Sequence, residues 1–356
     1  MRKGLAAVTA VLLLLSGCVP GVDITKRAIV TAAEVTLQQD GYLVTVEALS
    51  KLGREEQSYE DHTGEGKTFA QAVTDLELKT GKSLYLDGCK VLIVNGFSNA
   101  GELKELLGEI DSHGGIRPLT LVAAGTGEKN LLAQTGQGKE SMGEELFSLL
   151  SGGNLSQVNL KDCLGLLSDP GRGVLVPGVE KEEKELRIRS YLSPGKEGLL
   201  QTPAELNRLL PFAEPAKGEH RVYTVTGEGY SADWVLEKNT RKLRPQWKNG
   251  ELSFLFEARV EGYLLSGRGS LTGSELLRQA QEDICRELLE EYSFLLEKIV
   301  RPSGNDLFSM GKHLELFERN YWEETGRDWE SVLPEIPVEL RGSVLLQDNK
   351  RLSGKG

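Results

Sequence analysis

Cys18 is the side chain whose setting most clearly suggests chemistry. It closes the run Leu15-Ser16-Gly17-Cys18 directly after an apolar stretch. A thiol is a nucleophile and can be alkylated. Other candidates are weaker. Gly66-Lys67-Thr68 has the last residues of a phosphate-binding loop, but that pattern needs a glycine where Asp61 stands and a buried strand where Gln57 to His62 is polar. A glycine turn that starts a helix, with Thr68 as N-cap, fits better. Gly125-Thr126-Gly127 lacks the third glycine of a dinucleotide fingerprint and reads as a loop.

His62, His113, His220 and His313 are scattered, and no Ser/His/Asp or Cys/His arrangement has a local signature. Carboxylates are plentiful without a placed pair, as on any solvated surface, so catalysis is not expected. Besides Cys18, the cysteines are Cys89, Cys163 and Cys285, at wide spacings that match no zinc pattern. Their apolar surroundings favour buried free thiols, while three disulfide pairings stay open. No metal or cofactor is expected. Trp322 and Trp329 flank a Gly-Arg-Asp turn and read as core aromatics before partner surface.

The formal net charge of −11 argues against nucleic acid, which draws on clustered Lys and Arg. At the amino end, Arg2 and Lys3 precede an apolar run from Leu5 to Leu15, of signal-peptide length and too short to span a bilayer. With Cys18 this resembles the bacterial lipobox, which implies a sulfur carrying diacylglycerol and an exported, membrane-tethered chain. Two acyl chains anchor stably because each buried CH₂ contributes about 0.8 kcal/mol. A chain of 356 residues suits two or three compact units.

These residues are carried on mixed elements. Ala28 to Leu37 and Tyr42 to Leu49 read as a hairpin turning at Gln39-Asp40-Gly41. Helices are predicted over Thr68 to Leu78 and Leu103 to Ile110, and strands over Val91 to Val94 and Leu119 to Ala124. Glu180 to Glu185, mixed in sign, reads as a solvated helix end or linker. Proline density around Ser193-Pro194-Gly195 and from Pro203 to Pro215 marks a connection, with a boundary near residue 203. Arg221 to Thr226 and Ser253 to Leu265 read as strands, the latter with Phe254, Phe256, Ala258 and Val260 on one face. Thr272-Gly273-Ser274-Glu275 has the form of a capping box. The stripe Leu276, Ala280, Ile284, Leu288, Tyr292, Leu295 and Ile299 predicts a helix of roughly 40 Å. A shorter helix over Leu307 to Glu324, carrying Phe308, Leu314, Phe317, Tyr321 and Trp322, and a strand over Ile336 to Leu346 complete the order.

The terminal block resembles the Ger(x)C family of spore germination lipoproteins. The likeness rests on Asp306-Leu307-Phe308-Ser309-Met310-Gly311-Lys312-His313, Tyr321-Trp322, Trp329-Glu330 and Pro337-Val338-Glu339-Leu340. Family members have Asp-x-Phe-Gly-Phe-Gly there, then two tryptophans and Val-x-Val-x-Val. Thr63 to Ala72, Thr80 to Leu86 and Lys90 to Val94 resemble the family's upstream block. The chain departs from the pattern after Cys18, with Val19-Pro20 and Asp23-Ile24 where the family has Trp-Asp and Glu-Ile, and over Gly125 to Pro215 and Trp234 to Trp247.

The resemblance implies an α+β fold of three small mixed α/β domains, the last with strand, long helix, helix and strand in order. It divides the chain into a signal peptide (1–17), an N-terminal region (18–202), a linker and middle domain (203–252) and a C-terminal domain (253–356). It further implies a non-catalytic C subunit of a nutrient germinant receptor. Such a subunit is lipid-anchored at Cys18 on the outer face of the inner spore membrane, with A and B subunits as partners. Asp306, Phe308, Gly311, Trp322 and Trp329 are then fold markers first and interface candidates second. The reading from a different class is a lipoprotein that binds a solute for a transporter.

Overall fold

The computed structural model describes residues 26–51, 58–127, 130–134, 140–152, 158–182, 185–203 and 222–348. The signal segment, Cys18 and residues 204–221 of the connection lie outside the described residues. The fold is mixed α/β, built on two sheets.

The first sheet starts with the predicted hairpin, β1 (Arg27–Gln38) and β2 (Gly41–Lys51). β3 (Ser58–Gly66) pairs antiparallel with β2. The polar run leading to Gly66 is therefore an edge strand and no loop. Only Tyr59 and Gly64 of this strand are buried, so it carries no apolar alternation, and α1 (Phe69–Thr80), which buries Phe69, Ala72, Val73 and Leu76, packs on it. Gly64 and Gly66 permit that contact, since a Cβ on either would lie 2.5 and 2.4 Å from α1 backbone atoms. Thr68 caps α1 as expected, accepting a hydrogen bond from Gln71 N at 3.2 Å. Gly66-Lys67-Thr68 thus serves strand–helix packing.

β4 (Ser83–Tyr85) and β5 (Val91–Asn95) both lie parallel to β1, β4 beside its first residues and β5 further along. α2 (Ala100–His113) crosses over to β6 (Leu121–Gly125), and α3 (Met142–Gly152) and α4 (Leu160–Ser168) lead to β7 (Val176–Glu182). The parallel run β1-β5-β6-β7 ends in antiparallel β8 (Glu185–Pro194) and β9 (Leu199–Gln201). The charged stretch around Glu180 to Glu185 lies in the β7/β8 hairpin and not in a helix end, with Arg187 3.4 Å from Glu182. Its alternating signs serve cross-strand pairing.

Helices α1, α2 and α4 cover one face of this sheet and α3 the other. Every residue of β5 is consequently buried, the continuous apolar pattern of a strand packed on both sides. Two buried glutamates tie loops to β1 and β2. Glu34 accepts from the Leu131 and Leu132 amides at 2.9 and 2.8 Å, and burial pushes its carboxyl upward against those donors. Glu47 accepts from the Met142 and Gly143 amides at 2.6 and 3.1 Å, placing its charge at the start of α3.

The second sheet is β10 (Val222–Gly227), β11 (Tyr230–Lys248), β12 (Glu251–Gly269) and β13 (Val338–Asp348). Residues 222–248, assigned from the sequence to a middle domain, pair along this one sheet with β12. β11 escaped sequence reading because register shifts at Asp233/Trp234 and Leu236/Lys238 break its alternation. Phe254, Phe256, Ala258 and Val260 of β12 face the core as expected. They meet α5 (Gly273–Phe294), whose predicted stripe is buried along its whole length and continues through a π turn, Leu295–Val300, to Ser303. β13 returns parallel to β12.

Two local expectations fail here. Thr272 is the N-cap of α5, yet its side chain makes no capping bond. The shorter helix is broken into α6 (Met310–Phe317) and α7 (Arg319–Thr325), because Glu318 leaves helical geometry at φ −130°. The break leaves Phe317 67% exposed, not packed in the core.

Candidate functional site

The long helix stops at Gly304, whose left-handed backbone (φ 69°) turns the chain into Asn305 and Asp306. Asp306 is fully buried, and its carboxylate sits over the start of α6, where helix amides have no partner in the helix itself. Oδ1 accepts from Met310 N at 3.0 Å, and Oδ2 accepts from Gly311 N at 2.7 Å. Trp329, from α8 (Trp329–Val332), donates its indole Nε1–H to Oδ2 at 3.0 Å. Burial pushes the carboxyl up to about 6, and these donors, Gly311 first, pull the other way.

The five residues marked from the sequence meet around this carboxylate. Trp322 meets Trp329 edge-on at 5.6 Å. Phe308 packs on Phe256 and Tyr292 with ring centres 5.1 and 5.9 Å away. A Cβ on Gly311 would lie 2.6 Å from Gly171 Cα and 2.7 Å from Trp329 Nε1. Ser309 accepts a left-handed backbone (φ 57°) to bring α6 onto Asp306.

Gly171 belongs to the first unit, so this knot is also the junction between the sheets. Sequence reading missed the residues that make it. Asn305 donates Nδ2–H to Val174 O and Ser193 Oγ at 2.8 and 2.7 Å and accepts from Val174 N at 3.0 Å. It thereby pairs with Val174 as a neighbouring strand would. Lys312 N donates to Gly171 O at 3.0 Å, and its ammonium lies 3.4 Å from Asp169. Glu315 and then Asp169 raise the pKa of Lys312. Gly173 lets Asn305 approach, since a Cβ there would be 2.3 Å from Asn305 Oδ1. The only sequence signal was the pair Gly171-Arg172-Gly173 between a helix and a strand.

This arrangement is structural chemistry. Both oxygens of the Asp306 carboxylate are taken up, by the Met310 and Gly311 amides and the Trp329 indole. His313, the nearest histidine in sequence, packs against Phe317 with ring centres 4.6 Å apart and planes tilted by 40°, and burial lowers its pKa. Among the described residues, no group of three His, Cys, Asp or Glu side chains could hold a metal. Cys89, Cys163 and Cys285 are free thiols, the first two buried and the third half-buried. No described helix is long and apolar enough to cross a membrane.

Comparison with known proteins agrees with this architecture. Residues 21–181 match the family described as spore germination protein N-terminal domain, and residues 202–348 match the one described as spore germination B3/GerAC-like, C-terminal. The second match takes in the whole four-stranded sheet. The crystal structure of the GerBC protein superposes with a TM-score of 0.51 at 14% identity, covering 88% of this chain and 96% of that one, so the two share a fold. No curated protein sequence matches the chain. With both of its halves matched, the chain belongs to the Ger(x)C family of spore germination proteins.

Proposed function

We propose that the protein is the C subunit of a spore nutrient germinant receptor, lipid-anchored at Cys18 on the outer face of the inner spore membrane. It acts without catalysis, through contacts with A and B subunits. The observation that carries this reading is the pair of family matches, which together take in most of the chain. The lipobox preceding them supports the anchor. The buried carboxylates support a role through contacts, since Asp306, Glu34 and Glu47 each spend their oxygens on backbone amides. Tethering confines the protein to a plane with its partners and raises their effective concentration. A solute-binding lipoprotein would have two similar lobes, whereas the sheets here differ in strand number and connection.

The test is dipicolinic acid release after nutrient addition, in spores carrying wild-type protein, Cys18→Ala, or a deletion of the gene. Loss of the nutrient response on deletion, with dormant spores still formed, is the expected result. Loss with Cys18→Ala as well is expected if the anchor is required. A normal response in the deleted strain, with other receptors also removed, would overturn the receptor reading.

A further inference from the structure

Leu78 and Leu119 are 78% and 73% exposed, more than any other large hydrophobic residue among those described. Both lie at one end of the first sheet. Leu78 is in the last turn of α1, which leads through Gly81 to Ser83, the residue paired with Arg27 at the start of β1. Leu119 lies just before β6, in a loop whose Arg117 reaches Asp87, directly after β4, at 3.9 Å. This is the entry end of the parallel strands and also the end where the chain joins the fold.

Cys18 and Lys26 are eight residues apart, so extended backbone between them spans at most about 28 Å. A lipid on Cys18 therefore keeps this end within that distance of the bilayer. The exposed leucines have cations beside them. Lys79 follows Leu78 and Arg117 precedes Leu119 by two residues, while Lys26 and Lys82 are exposed and have no carboxylate partner among the described residues. Apolar side chains flanked by long basic ones suit the boundary between acyl chains and anionic headgroups. The second unit joins along β7 and β8: Asn305 binds Val174, just before β7, and Ser193 in β8, and Gly195 packs on Ser303.

We propose that the entry end of the first sheet rests on the bilayer, with Leu78 and Leu119 in the headgroup boundary and Lys26, Lys82 and Arg117 facing anionic lipid. The inference depends on the anchor proposed above and adds an orientation to it. The lipid holds the protein on the membrane. The leucine and lysine end decides which way it stands.

The test uses the lipidated chain with Cys285→Ser, bearing Leu78→Cys, Leu119→Cys or Phe317→Cys. Each is labelled with a polarity-sensitive fluorophore and reconstituted into vesicles of phosphatidylglycerol and phosphatidylcholine. The expected result is emission shifted to shorter wavelength at 78 and 119 and unshifted at 317, with a smaller shift in vesicles of phosphatidylcholine alone. Unshifted probes at 78 and 119 on protein that floats with the vesicles would overturn the orientation and leave the anchor standing. Shifts that come only on adding partner subunits would overturn it in favour of a protein contact. Protein that fails to float would overturn the anchor and the orientation together.

Discussion

Trp329 and Asp306 share a hydrogen bond of 3.0 Å, from indole Nε1 to carboxylate Oδ2, in a place that water does not reach. The bond closes a ring of contacts in which the start of α6, the end of α5 and the turn at α8 hold one another. Removing any member leaves a buried polar group without its partner.

Asp306→Asn keeps the shape and replaces an acceptor oxygen by a donor NH₂ that faces other donors. A loss of about 2–4 kcal/mol is expected, read from urea denaturation of the purified protein. The pH dependence changes with it. The folded carboxyl titrates near 6 against an ordinary 3.8, so the folded state holds this proton more tightly. The stability contributed by that proton is fully present below about pH 4 and is lost as pH rises through 6, on the order of 3 kcal/mol. The wild-type protein should lose stability over that window relative to Asp306→Asn, and a constant difference between them would contradict the assignment.

Gly311→Ala places a methyl against the backbone of Gly171 and the ring of Trp329. A cost of about 1–3 kcal/mol is expected, with Trp329 fluorescence altered before unfolding. Gly108→Ala is the contrasting case, since nothing lies within 4 Å of its Cβ position in the middle of α2. It should stabilise by about 0.5–1 kcal/mol. Equal effects of the two substitutions on Tm would show that the close approach at Gly311 is unimportant.

Asn305→Ala removes three of the hydrogen bonds that join the units and leaves Val174 N and O unpaired. About 2–4 kcal/mol of destabilisation is expected. Amide exchange at Val174 should rise more than at Leu92, in the centre of the first sheet. Uniform acceleration across both would mean that the junction does not open separately.

Cys285 should react first with iodoacetamide in the folded protein. It is half-buried, whereas burial pushes the thiols of Cys89 and Cys163 up to about 12 and closes them to reagent. Mass spectrometry of peptides after brief labelling reads this directly. Early modification of Cys89 or Cys163 would show that the first unit opens under native conditions.

Elements with one period and one buried face could be read from the sequence. The stripe from Leu276 to Ile299 and the alternation from Phe254 to Val260 have that character, and both lie where expected. β3 and β11 escaped because their patterns are not periodic: one is a polar edge strand with glycines under a helix, the other a strand with two register shifts. The apparent capping box at Thr272 and the continuous helix from Leu307 to Glu324 failed for the converse reason. Local pattern favoured them, yet Thr272 makes no capping bond, and Glu318 leaves helical geometry between α6 and α7.

By itself, then, the amino-acid order determined the resemblance of the run ending at Cys18 to a lipobox, the long helix, the parallel core strands and the marker residues of the terminal block. Those rest on local periodicity and short motifs, which neighbouring residues settle among themselves. Only the tertiary structure decided that Asp306, Gly311, Trp322 and Trp329 enclose one buried carboxylate, and that Asn305 binds Val174 across the junction. Those contacts join residues far apart in the chain. Their energy comes from desolvated hydrogen bonds and glycine-sized gaps, which exist only once both units are folded against each other.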